Sequence, residues 1–518
     1  MKNSLSSFDV VIVGFGPVGQ FVSNLLNQYN LKIAIIEKSS GNSTCPGANV
    51  LDDKIMRFIN KFDKLAEFKN KTSVPDFIEF TFPNGKTIQS NPVKKTLNGF
   101  PAVTTFYQPD LEHVLSKNIA SSENIEIFYD NELIDFEDKG NQITLTTSSA
   151  DKKNNKIIKS SFLLACDGSE SLIRSKLKID QLDLQYNKDW LVIDVVLNKG
   201  IILDKVARQI CDPDRPTIFM HSPGGRHRFE FQLLAGEDLN QMKKESSVQS
   251  LLLKWLEPLQ YKILRSEIYK FRGTKANQWR VGNIFLLGDA AHQVPPYAGQ
   301  GINSGIRDAI NIAWKLNLVA NHLVEPNMLE SYQIEREVHV EETIKSSIAL
   351  GKLIDSLALA YKKKIPLADA VAPEARDQAY GGKKANPSSD INPGIYLNSL
   401  NHKFTGRLIP NINLKDSNGN EVSLDNLLNG QIAIIGEGNS ESQLSLKSIK
   451  SLKDLNVKLI DTLNYIYTNS DFEEIIKTGY AIIRPDLHIF GVSDTENSIQ
   501  DLTDQFFEML CLRKNNLN

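Results

Sequence analysis

The stretch DVVIVGFGPVGQFV, Asp9 to Val22, decides the fold. A short β-rich apolar run, Asp9 to Val13, gives way to GFGPVG at Gly14 to Gly19, and Gln20 to Gln28 has helical character. G-x-G-x-x-G between a strand and a helix suits a pyrophosphate: Gly14 permits a tight turn, Gly16 lets phosphate approach bare backbone, and Gly19 lets helix and strand pack closely. The helix start then offers free N–H groups and its positive dipole end. Pro17 and Val18, inside the turn, are assigned to the same site. Glycine-rich turns are common, so the motif needs support. A second β-branched run, Lys32 to Ile36, supplies it by completing a βαβ start and implying a parallel sheet. Glu37 ends that run about 20 residues on, where an acidic side chain accepts hydrogen bonds from an adenosine ribose. Lys38 follows it at the same edge.

Two further segments carry chemistry. ACDGSESLIR, Ala165 to Arg174, follows a candidate buried strand, Phe162 to Cys166, and turns sharply at Asp167-Gly168. Read alone, it is an Asx-turn capping a helix. GDAAHQVPPYAGQGINSGIRDA, Gly288 to Ala309, follows the apolar run Ile284 to Leu287. Asp289 sits where a parallel strand ends, the usual ligand edge of such a sheet. Pro295 and Pro296 stiffen the loop, and Gly299 and Gly301 allow close approach. A helix expected over Asn303 to Val319 would aim its first N–H groups at the same place. Charge gathering at a flavin's pyrimidine edge on reduction would be stabilised there.

Composition narrows the class. The chain has 518 residues, or about three domains at roughly 100–200 residues each. The net charge is −3 with no basic block, so neither nucleic acid nor an anionic membrane is an expected partner. Cys45, Cys166, Cys211 and Cys511 lie far apart without a CxxC pair, which suits free thiols in a reducing compartment. No apolar segment approaches the ~20 residues of a spanning helix. The glycine- and proline-interrupted N-terminus reads as a strand and turn rather than a signal peptide. A cytoplasmic protein is expected. The eight histidines form no HxH or HExxH cluster, so no metal is expected.

Elsewhere, alternating strands are expected from Ile125 to Leu145. WLVIDVVL and RHRFEFQLL, within Trp190 to Leu234, predict an antiparallel sheet. In Arg226 to Leu234, alternation puts His227, Phe229, Phe231 and Leu233 on one face and Arg226, Arg228, Glu230 and Gln232 on the other. The apolar face is a candidate roof for a substrate pocket, or it is simply core. Met328 to Leu359 reads as a second long helical tract. Pro366 to Pro393 reads as a linker, and a further α/β unit follows it.

A GxGxxG start, a central DG segment and a late GD segment together resemble the class A FAD-dependent aromatic monooxygenases of the p-hydroxybenzoate hydroxylase superfamily. TFYQPDLEHVL (Thr105 to Leu115), WLVIDVVL (Trp190 to Leu197), CDPDRPTIF (Cys211 to Phe219), RFEFQLL (Arg228 to Leu234), PPYAGQGINSGIRDAINIAWKL and LESYQIEREVHV resemble its 3-(3-hydroxyphenyl)propionate hydroxylase and polyketide hydroxylase branch. The resemblance covers roughly residues 8 to 355. It implies an α/β chain with a Rossmann-like, glutathione-reductase-type FAD-binding domain (1–74, 101–178 and 280–360) and an antiparallel β-sheet substrate domain (75–100 and 179–279). A linker (361–394) and a C-terminal domain (395–518) follow. The last resembles a thioredoxin-like domain, best at YAIIRPDLHIFGV; without CxxC it is assigned packing or dimer contacts, not redox chemistry.

The resemblance also assigns roles. Gly14, Gly16 and Gly19 would hold the FAD pyrophosphate and Glu37 the adenosine ribose. Gln108 would lie near the ribityl region, Asp289 on ribityl or pyrophosphate oxygens, backbone at Gly301, Ile302 and Asn303 against the pyrimidine edge of the flavin, and Pro296 beside the reacting flavin carbon. Asp167 and Arg174 belong to the segment linked with both FAD and the nicotinamide cofactor. The implied reaction hydroxylates a small phenolic or polyketide substrate through a flavin C4a-hydroperoxide, with NADPH or NADH as reductant and O2 as oxidant. His292 and Tyr297 are candidates for proton handling or substrate contact, although His292 also reads as a residue filling the strand–helix junction. The family has Pro-Arg-Ala where this chain has Pro46-Gly47-Ala48, which puts the coupling of reduction in question. A halogenase would show WxWxIP, and Trp190, Trp255, Trp279 and Trp314 supply none. An antibiotic-modifying monooxygenase and a flavin-binding protein without oxygenase activity are the remaining alternatives. A monomer or homodimer is expected.

Overall fold

The computed structural model of the chain describes residues 7–41, 47–61, 66–149, 151, 154–366, 394–396, 403–495 and 497–512. Most of the expected linker, 367–393, and Pro46 lie outside the described residues.

The first sheet grows from the βαβ start. Strand Ser7–Val13 lies at its centre, parallel to Asn155–Ala165 on one side and to Ile33–Ile36 on the other. Ile125–Phe128 extends one edge and Ile284–Leu286 the other, both in parallel. Val10 to Val13 and Ile33 to Ile36 are all buried, as strands covered on both faces must be. Helix Pro17–Leu26 packs against Gln108–Ala120 and Gln300–Ala320. It approaches the latter closely because Gly305 has no side chain: a Cβ there would sit 2.6 Å from the Val18 Cγ2. An antiparallel arm, Asn131–Asp138 and Ile143–Ser149, leans on Asn155–Ala165.

The second sheet is built on two long antiparallel strands, Gln181–Leu197 and Tyr261–Ala276. Arg226–Gln232, Thr217–His221 and Val206–Ile210 continue it. Phe77–Thr81 then joins in parallel to Val206–Ile210 and carries Thr87–Pro92 with it. The opposite edge is a two-residue strand, His292–Gln293, paired with Lys275 and Thr274. It ties the loop after the first sheet's last strand to the second sheet.

Beyond residue 403, strand Ala433–Gly436 pairs in parallel with Lys458–Asp461 and antiparallel with Ala481–Ile483, which carries Ile489–Val492. A small sheet of Glu421–Ser423, Asn413–Asp416 and Tyr465–Ile466 lies beside it in sequence. The whole is a mixed α/β fold with several sheets. Among the described residues no helix is long and apolar enough to cross a membrane.

Two helix starts differ from expectation. The first begins at Gln300 instead of Asn303, and the second at Ser331, after a 3-10 turn over Pro326–Glu330.

Candidate functional site

The C-terminal ends of the parallel strands open onto a crevice bordered by glycines of two kinds. Gly14 has φ +100°, and a Cβ there would fall 2.2 Å from the Cys166 carbonyl oxygen. At Gly19 a Cβ would fall 2.1 Å from the Gly14 carbonyl oxygen. These two are required by the protein's own packing. Gly16 and Gly301 are different: a Cβ at either meets nothing within 4 Å. Helix Pro17–Leu26 starts beside Gly16 with proline in its first turn, where the missing N–H costs nothing.

Glu37 is fixed at the edge of this space. Its carboxylate accepts the Phe15 and Ser39 N–H groups, each at 2.8 Å. Lys38 beside it is exposed. Gln108, buried at the start of its helix, accepts the Ala48 N–H at 2.8 Å and donates to Glu112. Asp167 accepts the Ile173 N–H at 3.2 Å, while its other carboxylate oxygen is buried without a hydrogen-bond partner among the described residues. Burial raises the pKa of Asp167 above the usual carboxylate value. Arg174 donates to the carbonyls of Ala290 and Ser169 and so ties the DG segment to the GD segment. Asp289 is surrounded by protein yet accessible to solvent, as a side chain in the wall of a cleft must be. Burial raises its pKa too.

The last wall is the start of helix Gln300–Ala320. Gly299 caps it at φ +63°, with its Cβ direction blocked by Val50 at 2.8 Å. Asn303 accepts the Asp52 N–H at 3.0 Å and donates to the carbonyls of Val50 and Gly299. Its side chain is therefore occupied in fixing the helix start. The first-turn N–H groups, including those of Gly301 and Ile302, have no partner within the helix.

A dinucleotide cofactor fits these residues on three observations. Gly16 and Gly301 leave open space that a side chain would fill, Asp167 carries an orphaned buried oxygen, and Asp289 stands deep yet accessible.

Other candidates are corrected. His292 is 1% exposed, and its Nε2 lies 2.7 Å from Asp308. Asp308 also accepts from Arg336 and from the Gly288 N–H. Burial pushes the Asp308 pKa up, but His292 and Arg336 outweigh it and hold the carboxyl ionised. His292 thus fills the strand–helix junction, with its ring against Trp279, as the other reading of its sequence position expects. Tyr297 is buried in a box of Trp190, Phe271 and Tyr186, and its hydroxyl meets that of Tyr186. Gly351 makes room for this pair, since a Cβ there would lie 2.5 Å from the Tyr186 hydroxyl. A substrate contact through the Tyr297 hydroxyl is therefore replaced by packing. Pro296 begins the turn that carries Tyr297 and remains half-buried.

His227, Phe229 and Phe231 take the core place that the sequence left open beside that of a pocket roof. Phe229 and Phe231 pack under Trp255, at 5.5 and 5.6 Å between ring centroids, in a second core with Val248 and Leu252 of helix Glu245–Leu252. His227 stacks on Phe219 in the same layer. Apolar side chains went to the core, and the opposite, polar face looks toward residue 47. There Asp194 lies between Arg228 and Arg265 on neighbouring strands, at 2.7 and 2.9 Å. Arg228 donates to the Gly47 carbonyl at 2.7 Å. Burial pushes the Glu230 carboxyl, on that face, up to about 7. Sequence reasoning passed over Arg228, Glu230, Asp194 and Arg265. The signal was present: Arg226 to Gln232 puts charge on one face of a strand with aromatic residues on the other.

The family model described as FAD binding domain matches residues 7–347. The 3-(3-hydroxy-phenyl)propionate/3-hydroxycinnamic acid hydroxylase of Escherichia coli (strain K12) is 28% identical over 441 residues, covering 83% of this chain and 78% of the relative. Among solved structures, aklavinone-11 hydroxylase in a ternary complex with FAD and aklavinone superposes with a TM-score of 0.80 at 17% identity, covering 98% of this chain and 99% of that one. The flavin-dependent monooxygenase PieE, in complex with FAD and substrate, gives 0.80 at 17% identity with the same coverage.

Proposed function

The chain belongs to the FAD binding domain family, and from that premise we propose that it is a single-component FAD- and NAD(P)H-dependent hydroxylase of a phenolic or polyketide aromatic substrate. The observation that carries this reading is the convergence on one sheet edge of an open glycine turn, a fixed ribose-accepting carboxylate, an accessible aspartate and a free helix start. The named activities of its relatives point the same way.

When bound, FAD supplies the reductive and oxygen chemistry; the chain's residues bind, orient and shield. Gly14, Gly16 and Gly19, with Pro17 and Val18 and the helix behind them, hold the pyrophosphate. Glu37 takes the adenosine ribose, with Lys38 at the rim. Gln108 and Asp289 face the ribityl chain. The helix start, capped by Gly299 and fastened by Asn303, offers the N–H groups of Gly301 and Ile302 to charge that develops on reduction. Asp167, in the segment fastened by Arg174, lies on the nicotinamide approach. Pro296 stiffens the backbone beside the reacting face. The polar face of the second sheet closes over this edge, keeping water out and the ring in register.

Strands 77–92 join the second sheet while 7–36, 125–165 and 284–286 form the first, which supports the interleaved FAD-binding and substrate domains (1–74, 101–178 and 280–360; 75–100 and 179–279). We assign 395–518 to a thioredoxin-like unit; its mixed four-stranded sheet supports this, and it has no CxxC with which to do redox work.

The test is direct. Gently purified protein should be yellow with two visible flavin bands. A panel of phenols, hydroxyphenylpropionates, resorcinols and fused polyketides should contain a compound that stimulates NAD(P)H oxidation and appears hydroxylated in stoichiometric yield. Peroxide without product across the panel would favour a flavin binder. No bound flavin after FAD supplementation would end the proposal.

A further inference from the structure

The face of the second sheet that looks toward Gly47 carries a row of five side chains. Register places Phe80, Gln209, Ile218, Glu230 and Val192 beside one another on neighbouring strands, one step along from Arg228 and Asp194 and on their face. Three of the five are apolar. The other two are acceptors that the protein leaves unanswered. Gln209 is buried, and its Oε1 has no hydrogen-bond partner among the described residues. The Glu230 carboxyl accepts no hydrogen bond among the described residues. Arg228 Nη1 lies 3.9 Å away, too far to donate, and the Glu230 side chain keeps 9% of its surface open. Burying acceptors unmet is costly, so such a row suits a ligand that donates.

The cations of this face cannot serve a ligand, because each is engaged. Asp194 accepts two hydrogen bonds from Arg228 and two from Arg265. Their Nη1 groups go to the Gly47 carbonyl and the Tyr269 hydroxyl. Lys188 is paired with Asp355, and Arg226 with Asp110. A substrate carboxylate on this row would therefore meet Glu230 and no uncommitted cation, and two carboxyl groups sharing an enclosed site cannot both stay ionised. The indole N–H of Trp190, one row away, also lacks a partner among the described residues, but its ring is wholly buried against Phe271 and Tyr297.

Resting on the hydroxylase reading, we propose that the substrate is an uncharged aromatic bearing at least two hydroxyl groups, which donate to the Glu230 carboxylate and the Gln209 Oε1, and that this row discriminates against phenols carrying a carboxylate. Phe80, Ile218 and Val192 supply the apolar surface for the ring. Glu230 and Gln209 stand two strands apart, roughly 10 Å at the backbone, so they address opposite ends of one substrate. The row thus selects resorcinols and hydroxylated polyketides over phenolic acids.

The experiment uses full-length, FAD-loaded protein in its oxidised form. Two probes share one ring and one chain length: 3-(3-hydroxyphenyl)propan-1-ol, with two hydroxyl groups, and 3-(3-hydroxyphenyl)propionate, with a carboxylate in place of the second. Each is titrated at about pH 8, above the value of about 7 to which burial pushes Glu230, while the visible flavin bands report binding. The alcohol should bind at least tenfold tighter. Glu230→Gln should shrink that ratio at least fivefold by tightening the propionate, a gain that loss of structure does not produce. Propionate binding that equals or exceeds the alcohol, an unchanged ratio in Glu230→Gln, or no response to either probe would each overturn the proposal. Should Glu230→Gln fail to fold, Gln209→Leu should weaken the alcohol at least fivefold and leave the propionate unmoved; equal loss for both would overturn the proposal. The ratio is read without turnover. Protein that shows it yet hydroxylates nothing in the panel keeps this preference and loses the hydroxylase reading, whereas protein that favours hydroxyphenylpropionates and hydroxylates them keeps the hydroxylase reading and loses the preference.

Discussion

Gly14 and Gly16 lie two residues apart and answer to different forces. Gly14 is demanded by the protein, because any Cβ would strike the Cys166 carbonyl and φ is positive. Gly16 is demanded only by what enters the crevice. Gly14→Ala should therefore fail to accumulate as folded protein. Gly16→Ala should keep the thermal midpoint of the apoprotein within about 1 °C, equivalent to roughly 0.5–1 kcal/mol for a chain of this size, and lose FAD affinity by at least tenfold in a flavin titration. Equal FAD affinity in Gly16→Ala and parent would remove the pyrophosphate role. Asp289→Ala belongs to the same test and should empty the site without unfolding the chain. Glu230 makes a different point. Its folded pKa, about 7, lies above its unfolded value near 4.5, so the native state holds a proton the unfolded state has released. Stability should then fall as pH rises from about 4.5 to about 7 and stay low above that, by about 3 kcal/mol in all. Glu230→Gln should flatten this fall in urea unfolding followed across that range. The glycine pattern and Glu37 were legible as sequence because their spacing is a backbone requirement. The burial of Glu230 was not, since a lone glutamate in a strand reads as a solvated face.

Among the elements, the sequence identified the kinds, missed some edges, and left open which face of Arg226–Gln232 meets a core. The helix after the proline loop starts three residues early because Gly299 adopts a left-handed cap and Asn303 bonds back to the loop and to Asp52. Propensity alone argued for a later start, with Gly301 a poor helix former. Alternation in Arg226–Gln232 sorted the side chains into the correct two sets. It could not say which set met the crevice, because that depends on helix Glu245–Leu252 packing on the apolar side. The strand His292–Gln293 is too short for any periodicity to reveal. The Asn303 bonds carry a consequence. Asn303→Ala frees the Asp52 N–H and two carbonyls, and at about 1 kcal/mol for each lost bond the helix start should loosen by about 2–3 kcal/mol. The expected outcome is weaker FAD retention on dialysis together with a thermal midpoint several degrees lower. Asn303→Asp, which keeps the acceptor for Asp52, should recover part of the midpoint. Parent-like retention in Asn303→Ala would show that the helix start needs no such fastening.

The whole molecule is held together by buried charge that sequence could not foresee. Arg484 lies 149 residues from Glu335, and Arg57 lies 368 residues from Asp425, yet both pairs are bidentate and shut away from solvent. Each residue taken singly reads as surface. Together they dock the C-terminal residues onto helices Asp53–Asn60, Gln300–Ala320 and Ser331–Lys363, with Trp314 under the Arg484 guanidinium at 5.1 Å. Burial pushes the Glu335 carboxyl up, but Arg484 and Lys315 outweigh it and hold the group well below the usual carboxylate range. A depressed acid contributes stability above its unfolded pKa, near 4.3, and that contribution is lost as pH falls through that value and below. Docking should therefore loosen in acid, well before the hydrophobic cores of the first two sheets give way. Arg484→Met leaves Glu335 to Lys315 and Asp486 to His488, and breaking a buried pair on one side costs about 3–5 kcal/mol. In this variant tryptophan fluorescence, to which Trp314 contributes, should report a separate early transition in urea where the parent unfolds once. The steep loss of stability below about pH 4.3 should shrink with it. A single transition at the parent's midpoint, with the parent's acid profile intact, would mean that hydrophobic contact alone docks the C-terminal unit and that the charges merely occupy the seam.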